Sequence, residues 1–413
     1  MRARAAWRSR ATLAAEALAC ASAACLSGAG AAGARAGAPR RPAAHTAATT
    51  SRVRAFKLPP VGHVFVIVLE NEGYTATFGD PAADPYLAQT LPAEGALLEN
   101  YYATGHESND NYISIVSGQP PNVQNQADCP RFDDFVGALM LENGVESGTG
   151  CVYPAEVPTI GNQLSAAKRS WKAYMQDMGN DPNRETAACG HPALQGADET
   201  QKAEAGYGYA SRHDPFVYFH SVIDEQKFCD EHVVALGSPS GEMPAAALRG
   251  ETGLATDLTA ASKTPKFSFI TPNLCEDGHD YPCTNQPSGA SALADIDDFL
   301  ETWVPKITGS AAYARNGLLE IVFDEAATSE AEACCEEMPG PGSPLPGIVG
   351  PGGGRVGALL LSPFIKPGTV STTPYDHYSS LASWETLLGL PKLAYAATVP
   401  STFGADVFGA ATG

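Results

Sequence analysis

The run Gly62-His-Val-Phe-Val-Ile-Val-Leu69 is apolar almost without a break and stops abruptly at Glu70-Asn71-Glu72. A strand with one wet face alternates apolar and polar residues, whereas an unbroken run is buried on both faces, as in a parallel α/β sheet. Two later stretches repeat the pattern. Lys266-Phe-Ser-Phe-Ile270 runs into Thr271-Pro-Asn-Leu-Cys-Glu-Asp-Gly-His-Asp280, and Gly317-Leu-Leu-Glu-Ile-Val-Phe323 ends at Asp324-Glu325. Any one of these carboxylates would pass for a solvated turn residue, because charged side chains are mostly exposed. Three strands that each stop at acidic residues point to one sheet edge, the C-terminal one, where open α/β sheets bind ligands.

The same logic singles out Ser108. The strand-like stretch 96–103 ends at Thr104-Gly105, and Tyr112, Ile115 and Val116 then follow at helical spacing. Ser108 therefore falls where a strand turns into a helix, and helix N-termini carry free N–H groups that suit an anion such as phosphate. Three polar residues, His106, Ser108 and Asn111, lie within six positions of one another. Ser, Asp and Asn are also ordinary N-cap residues. Downstream, Asp277, His279 and Asp280 have the side chains of a metal or proton-transfer site, with Gly278 allowing a sharp bend between them.

Between these points the α/β alternation continues. We expect a helix over 160–167, strands over 171–175, 216–219 and 355–361, and an amphipathic helix with Leu293, Ile296, Phe299, Leu300 and Trp303 on its apolar stripe. A last helix spans 379–388, with His377 at its start. The stretches 119–158 and 179–212 are irregular and read as surface insertions that shape the mouth of a site, while 328–354, acidic and then rich in Gly and Pro, reads as a long flexible loop. No internal repeat is visible.

Arg2, Arg4, Arg8 and Arg10, an Ala-rich apolar run over 11–26 and small residues over 29–38 read as a secretory signal, 1–38. Residues 39–60 read as a disordered lead-in and 61–413 as a single catalytic domain. The apolar run is too short and Ala-rich for a membrane span, so export without a lasting anchor is expected, to a secreted or periplasmic location. The formal net charge is −20 over 413 residues; residues 1–54 hold nine of the 26 basic residues and one of the 46 acidic ones, which leaves the remainder at −28. Such a body repels nucleic acid and anionic membranes, and an anionic substrate would need a cation to bring it in. Eight of the ten cysteines lie beyond residue 54. An even number without a C-x-x-C pair in an exported chain favours disulfides over zinc, with Cys129–Cys151 and Cys275–Cys283 the first pairings to try.

Glu70, Asp324, Glu325, His279 and His377 all sit where a strand stops or a helix starts. Carboxylates with imidazole can hold a divalent cation whose shell a Ser oxygen can join, and metal coordination is one way to activate so weak a nucleophile.

At this point the residues resemble a known family. His63-Val-Phe-Val-Ile-Val-Leu-Glu-Asn71, Gly105-His-Glu-Ser-Asn-Asp-Asn-Tyr112, Pro272-Asn-Leu-Cys-Glu-Asp-Gly-His-Asp280, Ile321-Val-Phe-Asp-Glu325 and Asp376-His-Tyr378 occur in the order seen in the bacterial phosphoesterase family. That family holds secreted acid phosphatases, phosphoinositide phosphatases and phospholipases C, within the alkaline phosphatase superfamily. The resemblance implies a three-layer α/β/α sandwich around a mostly parallel sheet, with a metal site at its C-terminal edge. It implies Glu70, Asn71, Asp324 and Glu325 as ligands of a divalent metal ion, and Ser108 as a metal-bound nucleophile that is transiently phosphorylated. Asn111 would hold a phosphate oxygen and His106 would line the pocket. His279, with Asp280, and His377 would either protonate the leaving group or hold a second metal. The family commonly has His-Pro-Ser where this chain has His106-Glu107-Ser108, and acidic or Gly residues where it has Ala326 and Ala327.

The expected activity is hydrolysis of phosphate monoesters, on a small phosphate ester or a phospholipid-derived substrate. The extra C-terminal domains of many phospholipases C are not seen in the sequence, which ranks phosphodiester cleavage second. A non-catalytic exported binding protein on the same fold is the third reading.

Overall fold

The computed structural model describes residues 56–409 other than 205, 284–290 and 337. The expected signal, and the lead-in up to residue 55, lie outside the described residues.

Twelve strands are β1 (His63–Leu69), β2 (Ala96–Leu98), β3 (Tyr101–Tyr102), β4 (Val136–Met140), β5 (Glu146–Thr149), β6 (Trp171–Met175), β7 (Val233–Ala235), β8 (Phe267–Thr271), β9 (Gly317–Phe323), β10 (Ala358–Leu361), β11 (Thr369–Ser371) and β12 (Tyr375–Asp376). Eight of them form one sheet in the order β11-β2-β10-β9-β1-β8-β6-β7. The pairings of β1 with β8 and β9, of β6 with β7 and β8, and of β11 with β2 are parallel, while β10 runs antiparallel to both neighbours. The sheet is mixed and mostly parallel, as the unbroken apolar runs require.

Every residue of β1, β8 and β9 is buried, so both faces of the sheet centre are covered. Val66, Phe269 and Glu320 are register neighbours on these strands and therefore share a face. On that face Phe269 meets Tyr112 of the helix Ser108–Ser117, with ring centroids 6.3 Å apart. Glu320 there accepts from the indole of Trp384, 2.7 Å away on the helix His377–Leu388. The helices Ala292–Thr308 and Ala311–Asn316 pack on β9 and cover the other face, giving an α/β fold in three layers. The buried side of Ala292–Thr308 includes Leu293, Ile296, Phe299, Leu300 and Trp303, as its periodicity predicts.

Several local expectations are corrected. Residues 216–219 do not form a strand; Pro215–Tyr218 is a 3-10 turn, since a short apolar run does not distinguish a buried strand from a buried helical turn, and Pro215 starts it without needing an N–H. The stretch 96–103 divides at Glu99-Asn100 into β2 and β3, which join different sheets. The strand expected over 355–361 begins only at Ala358, after Gly357 at φ +74°. The stretch 119–158 contains the hairpin β4–β5, and β7 is too short for a periodic signal.

Disulfides join Cys129–Cys151 and Cys275–Cys283, as expected, and also Cys189–Cys229 and the neighbours Cys334–Cys335. Among the described residues no helix is long and apolar enough to cross a membrane.

Candidate active site

Three strand ends are laced together by backbone hydrogen bonds. The Glu70 N–H, just past β1, donates to the Asp277 carbonyl beyond β8 at 2.9 Å, and the Asp324 N–H beyond β9 donates to the Leu69 carbonyl at 2.8 Å. Asn71 follows at φ +64°, a left-handed conformation that Asn adopts more readily than most residues, and its N–H donates to Asp324 Oδ1 at 3.1 Å. The carboxylates that the sequence spreads over 255 positions are thereby brought to one place at the C-terminal edge of the sheet.

Ser108 arrives from the adjoining β3-to-helix turn. It is the first residue of the helix Ser108–Ser117, and its Oγ donates to Glu70 Oε2 at 2.7 Å. The turn before it is held by Asn111. The Asn111 carbonyl accepts from the N–H groups of Thr104 and Gly105, each at 3.0 Å, and its two amide hydrogens go to the carbonyls of Gly105 and Glu107. Both hydrogens are thus used within the loop, and the structure gives Asn111 the work of shaping the turn that presents Ser108.

The four carboxyl groups at the centre are buried: Glu70 and Asp277 are fully inaccessible, and Asp324 and Glu325 are at most 3 % exposed. Burial, joined by repulsion from Asp324 and Asp277, pushes the Glu70 carboxyl well above the usual range. Burial raises Asp277 and Glu325 likewise, and Asp324 to about 7. Asp110, in the first turn of the Ser108 helix, is fully buried with neither oxygen hydrogen-bonded. So many buried acids cannot all ionise unless a cation sits among them.

His213 shows where. It ends the short turn Ser211–His213, is 1 % exposed, and stacks on Tyr112 with ring centroids 5.1 Å apart. Its Nδ1 lies 3.0 Å from Asp277 Oδ2, so the ring proton belongs there and Nε2 presents a lone pair. That lone pair lies 3.3 Å from Glu70 Oε1. Neither atom has an aligned hydrogen-bond partner, and Asp324 Oδ2 is similarly buried and unsatisfied. Two acceptors facing each other at this distance need a proton or a metal ion between them. Burial, helped by Arg212 and His279, holds the His213 pKa well below its ordinary value, so a proton shared here sits on Glu70, whose carboxyl is pushed up, unless a metal ion takes its place. Glu70, His213 and His279 each offer a ligand atom within 4.8 Å of the others, and mixed carboxylate and imidazole donors suit a divalent first-row metal.

Beside this cluster lies a buried cation. Arg212 is 1 % exposed, approaches Asp128 at 3.4 Å, and directs an amino group to His279 Nε2 at 3.0 Å. A guanidinium only donates, so His279 Nε2 accepts and its proton sits on Nδ1, which donates to Asp280 Oδ1 at 2.8 Å.

The other two predicted histidines act from behind. His106 is fully buried, with Nδ1 hydrogen-bonded to Glu325 Oε2 and Nε2 3.0 Å from the Glu330 carbonyl. His377 starts the helix His377–Leu388; its Nε2 lies 2.6 Å from the Asp324 carbonyl and its Nδ1 3.2 Å from the Tyr101 hydroxyl. Burial takes the His377 pKa down to about 4, so the ring is neutral and braces Asp324. With both ring nitrogens engaged in this way, His106 meets the cluster through Glu325 and His377 through the Asp324 backbone.

The model of the Phosphoesterase family matches residues 82–391. The chain belongs to the Phosphoesterase family. The phosphoesterase match takes in Ser108, Arg212, His213, His279, Asp324 and His377, while Glu70 and Asn71 precede it. An acid phosphatase from Aspergillus fumigatus is 26% identical, over 80% of this chain and 55% of its own length. A phosphatidylinositol-3-phosphatase from Mycobacterium tuberculosis is 24% identical, over 84% of this chain and 83% of its own. The chain therefore spans little more than half of the fungal relative. The crystal structure of a protein in the alkaline phosphatase superfamily from Vibrio parahaemolyticus, 13% identical, aligns over 80% of this chain and 66% of its own with a TM-score of 0.44.

Sequence reasoning on this family member placed Glu70, Ser108 and Asp324 at one sheet edge but passed over Arg212 and His213, which the structure brings beside them. The signal was present: Arg212-His213-Asp214 is a polar group standing directly before the apolar run Phe216–Phe219, at the end of an irregular stretch.

Proposed function

We propose that this chain is an exported, metal-dependent phosphoesterase that hydrolyses phosphate monoesters through a phosphoserine at Ser108. The observation that carries the reading is the facing pair of buried acceptors, Glu70 Oε1 and His213 Nε2, set against the carboxylate that holds the Ser108 hydroxyl. Glu70, His213 and Asp324 would hold the divalent ion, with Asn71 and Glu325 adjoining. A divalent cation there would lower the pKa of the serine hydroxyl and offset charge on the phosphoryl oxygens.

The chain's own residues supply the rest. Glu70 accepts the Ser108 proton across 2.7 Å as Oγ attacks phosphorus in line with the departing oxygen. The N-terminal end of the Ser108 helix and the Arg212 guanidinium receive the equatorial oxygens. Arg212 answers the electrostatic problem posed by the acidic body, which would otherwise turn an anionic ester away. Asn111, His106 and His377 keep Ser108, Glu325 and Asp324 in place. We assign proton transfer to the leaving oxygen to His279, whose side chain is 23% exposed: it enters as imidazolium, gives up the Nε2 proton and is left as the neutral ring whose Nδ1–H donates to Asp280. Water then attacks phosphorus, giving a proton to the neutral His279, and the Ser108 oxygen leaves with the proton held by Glu70.

Both relatives named above are phosphatases, which favours monoesters, and a phosphoinositide is a fitting test substrate beside simple aryl esters. The test is to strip the purified chain with a chelator, restore single divalent ions, and follow an aryl phosphate, its diester and a phosphoinositide while trapping phosphoserine with an acid quench. Monoester hydrolysis that disappears with the metal, together with label on Ser108, is the expected result. Hydrolysis indifferent to chelation, or turnover with no labelled serine, would overturn the reading.

A further inference from the structure

Outside the catalytic cluster, Cys334, Cys335 and Asp376 each offer a ligand atom within 4.8 Å of the other two. They share no residue with the Glu70, His213 and His279 group. Cys334 and Cys335 belong to the irregular segment between β9 and β10, and Asp376 ends β12. The Sγ of Cys334 lies 3.2 Å from the Tyr375 carbonyl oxygen, which seats the pair against that strand. Asp376 accepts from the Ser379 N–H at 2.6 Å and so caps the helix His377–Leu388.

The pair is a disulfide between neighbours in the chain. Adjacent α-carbons stand 3.8 Å apart, closer than the ~4.4–6.8 Å that disulfides favour, so this bridge is more reducible than an ordinary one. Both sulfurs belong to half-buried residues, whereas Cys129, Cys151, Cys189 and Cys229 are at most 2 % exposed. A small thiol in solution therefore meets Cys334–Cys335 before those two bridges.

We propose that Cys334, Cys335 and Asp376 form a second, redox-gated cation site that takes one thiophilic divalent ion, Zn²⁺ or Cd²⁺, once a small thiol has reduced the bridge. The reductant's thiolate attacks one sulfur, the bond between the cysteines breaks, and a second reductant thiol releases the mixed disulfide. Two protons end on Cys334 and Cys335, and the reductant leaves as its own disulfide. Cation binding then displaces both thiol protons, leaving two thiolates and one carboxylate as ligands; thiolates select soft ions over the hard ones that oxygen ligands favour.

The test uses the full chain, treated with a graded thiol reductant, desalted, assayed for free thiols and titrated with Cd²⁺ while thiolate-to-metal charge-transfer absorbance is read. One Cd²⁺ per chain is expected, appearing when two thiols have been freed. The band should be missing from a Cys334→Ser/Cys335→Ser variant given the same treatment, and binding should weaken roughly 10-fold in Asp376→Asn, which keeps a capping oxygen. Two free thiols at these positions with no band would overturn the site. So would a band that survives in the double variant, or a bridge that opens only when the other three do.

Discussion

The Ser108 hydroxyl and the Glu70 carboxylate, 38 positions apart and in different elements, meet across 2.7 Å, with Ser108 donating to Oε2. The contact joins the first residue of a helix to the first residue past a buried strand, and the other oxygen of the same carboxylate faces the bare nitrogen of His213. One carboxylate thus links the serine to the place where a cation fits.

Replacing Ser108 by Ala should remove the nucleophile and little else. We expect kcat on an aryl phosphate to fall about 10³-fold or more, with divalent-ion affinity by calorimetry changed only slightly. Retention of near-normal turnover would remove Ser108 from the mechanism.

The Arg212 guanidinium is a buried cation beside the cluster, with one amino group turned toward His279, and in the proposed function it meets the anionic ester. Lysine keeps the charge and loses the fork, so Arg212→Lys should lower kcat/KM roughly 10- to 100-fold. Inhibition by inorganic phosphate should weaken by a similar factor. A drop in kcat/KM with phosphate inhibition unchanged would mean that Arg212 serves Asp128 and the fold rather than the substrate.

What the sequence disclosed depended on whether a signal was local. β1, β8 and β9 were legible because an unbroken apolar run ending at a carboxylate is written in consecutive residues, and Ser108 because a strand and a helix meet at it. His213 was not, because its site role comes from Asp277, 64 positions away, which orients the ring. Asn111, His106 and His377 carried the right residue types near the right place. Their hydrogen bonds to loop carbonyls, to Glu325 and to the Asp324 carbonyl are three-dimensional facts that no local pattern in the sequence carries. The strand expected over 216–219 failed for a related reason: apolar continuity reports burial, and burial alone does not choose between a strand and a helical turn.

Asp277 fixes the His213 ring with its Nδ1 proton toward Oδ2 at 3.0 Å. Asp277→Asn keeps the size and removes the charge that holds this tautomer. Loss of such a partner typically costs ~10- to 100-fold in metal affinity, so that shift is expected in the divalent-ion concentration needed for half-maximal activity, with near-full turnover at saturating ion. An unchanged ion requirement would separate Asp277 from the cation site.

Glu320 offers a test of the core, away from the site. It is fully buried in β9, accepts from Trp384 at 2.7 Å and from Ser380, and burial pushes its pKa up to about 7. In the unfolded chain a glutamate titrates near ~4.3. Below that value the carboxyl is protonated in both states and folding bears no charge penalty. As pH rises toward 7 the unfolded chain ionises while the folded chain still holds the proton, so the stability this group contributes is lost progressively and is gone above about 7. Glu320→Gln keeps an acceptor for Trp384 and cannot ionise. Calorimetric scans should therefore show the variant melting with the parent near pH 4 and above it by ~2 °C or more at pH 8. The same offset at both pH values would mean that the side chain matters through packing alone, and that its charge does not shape the stability of the sheet.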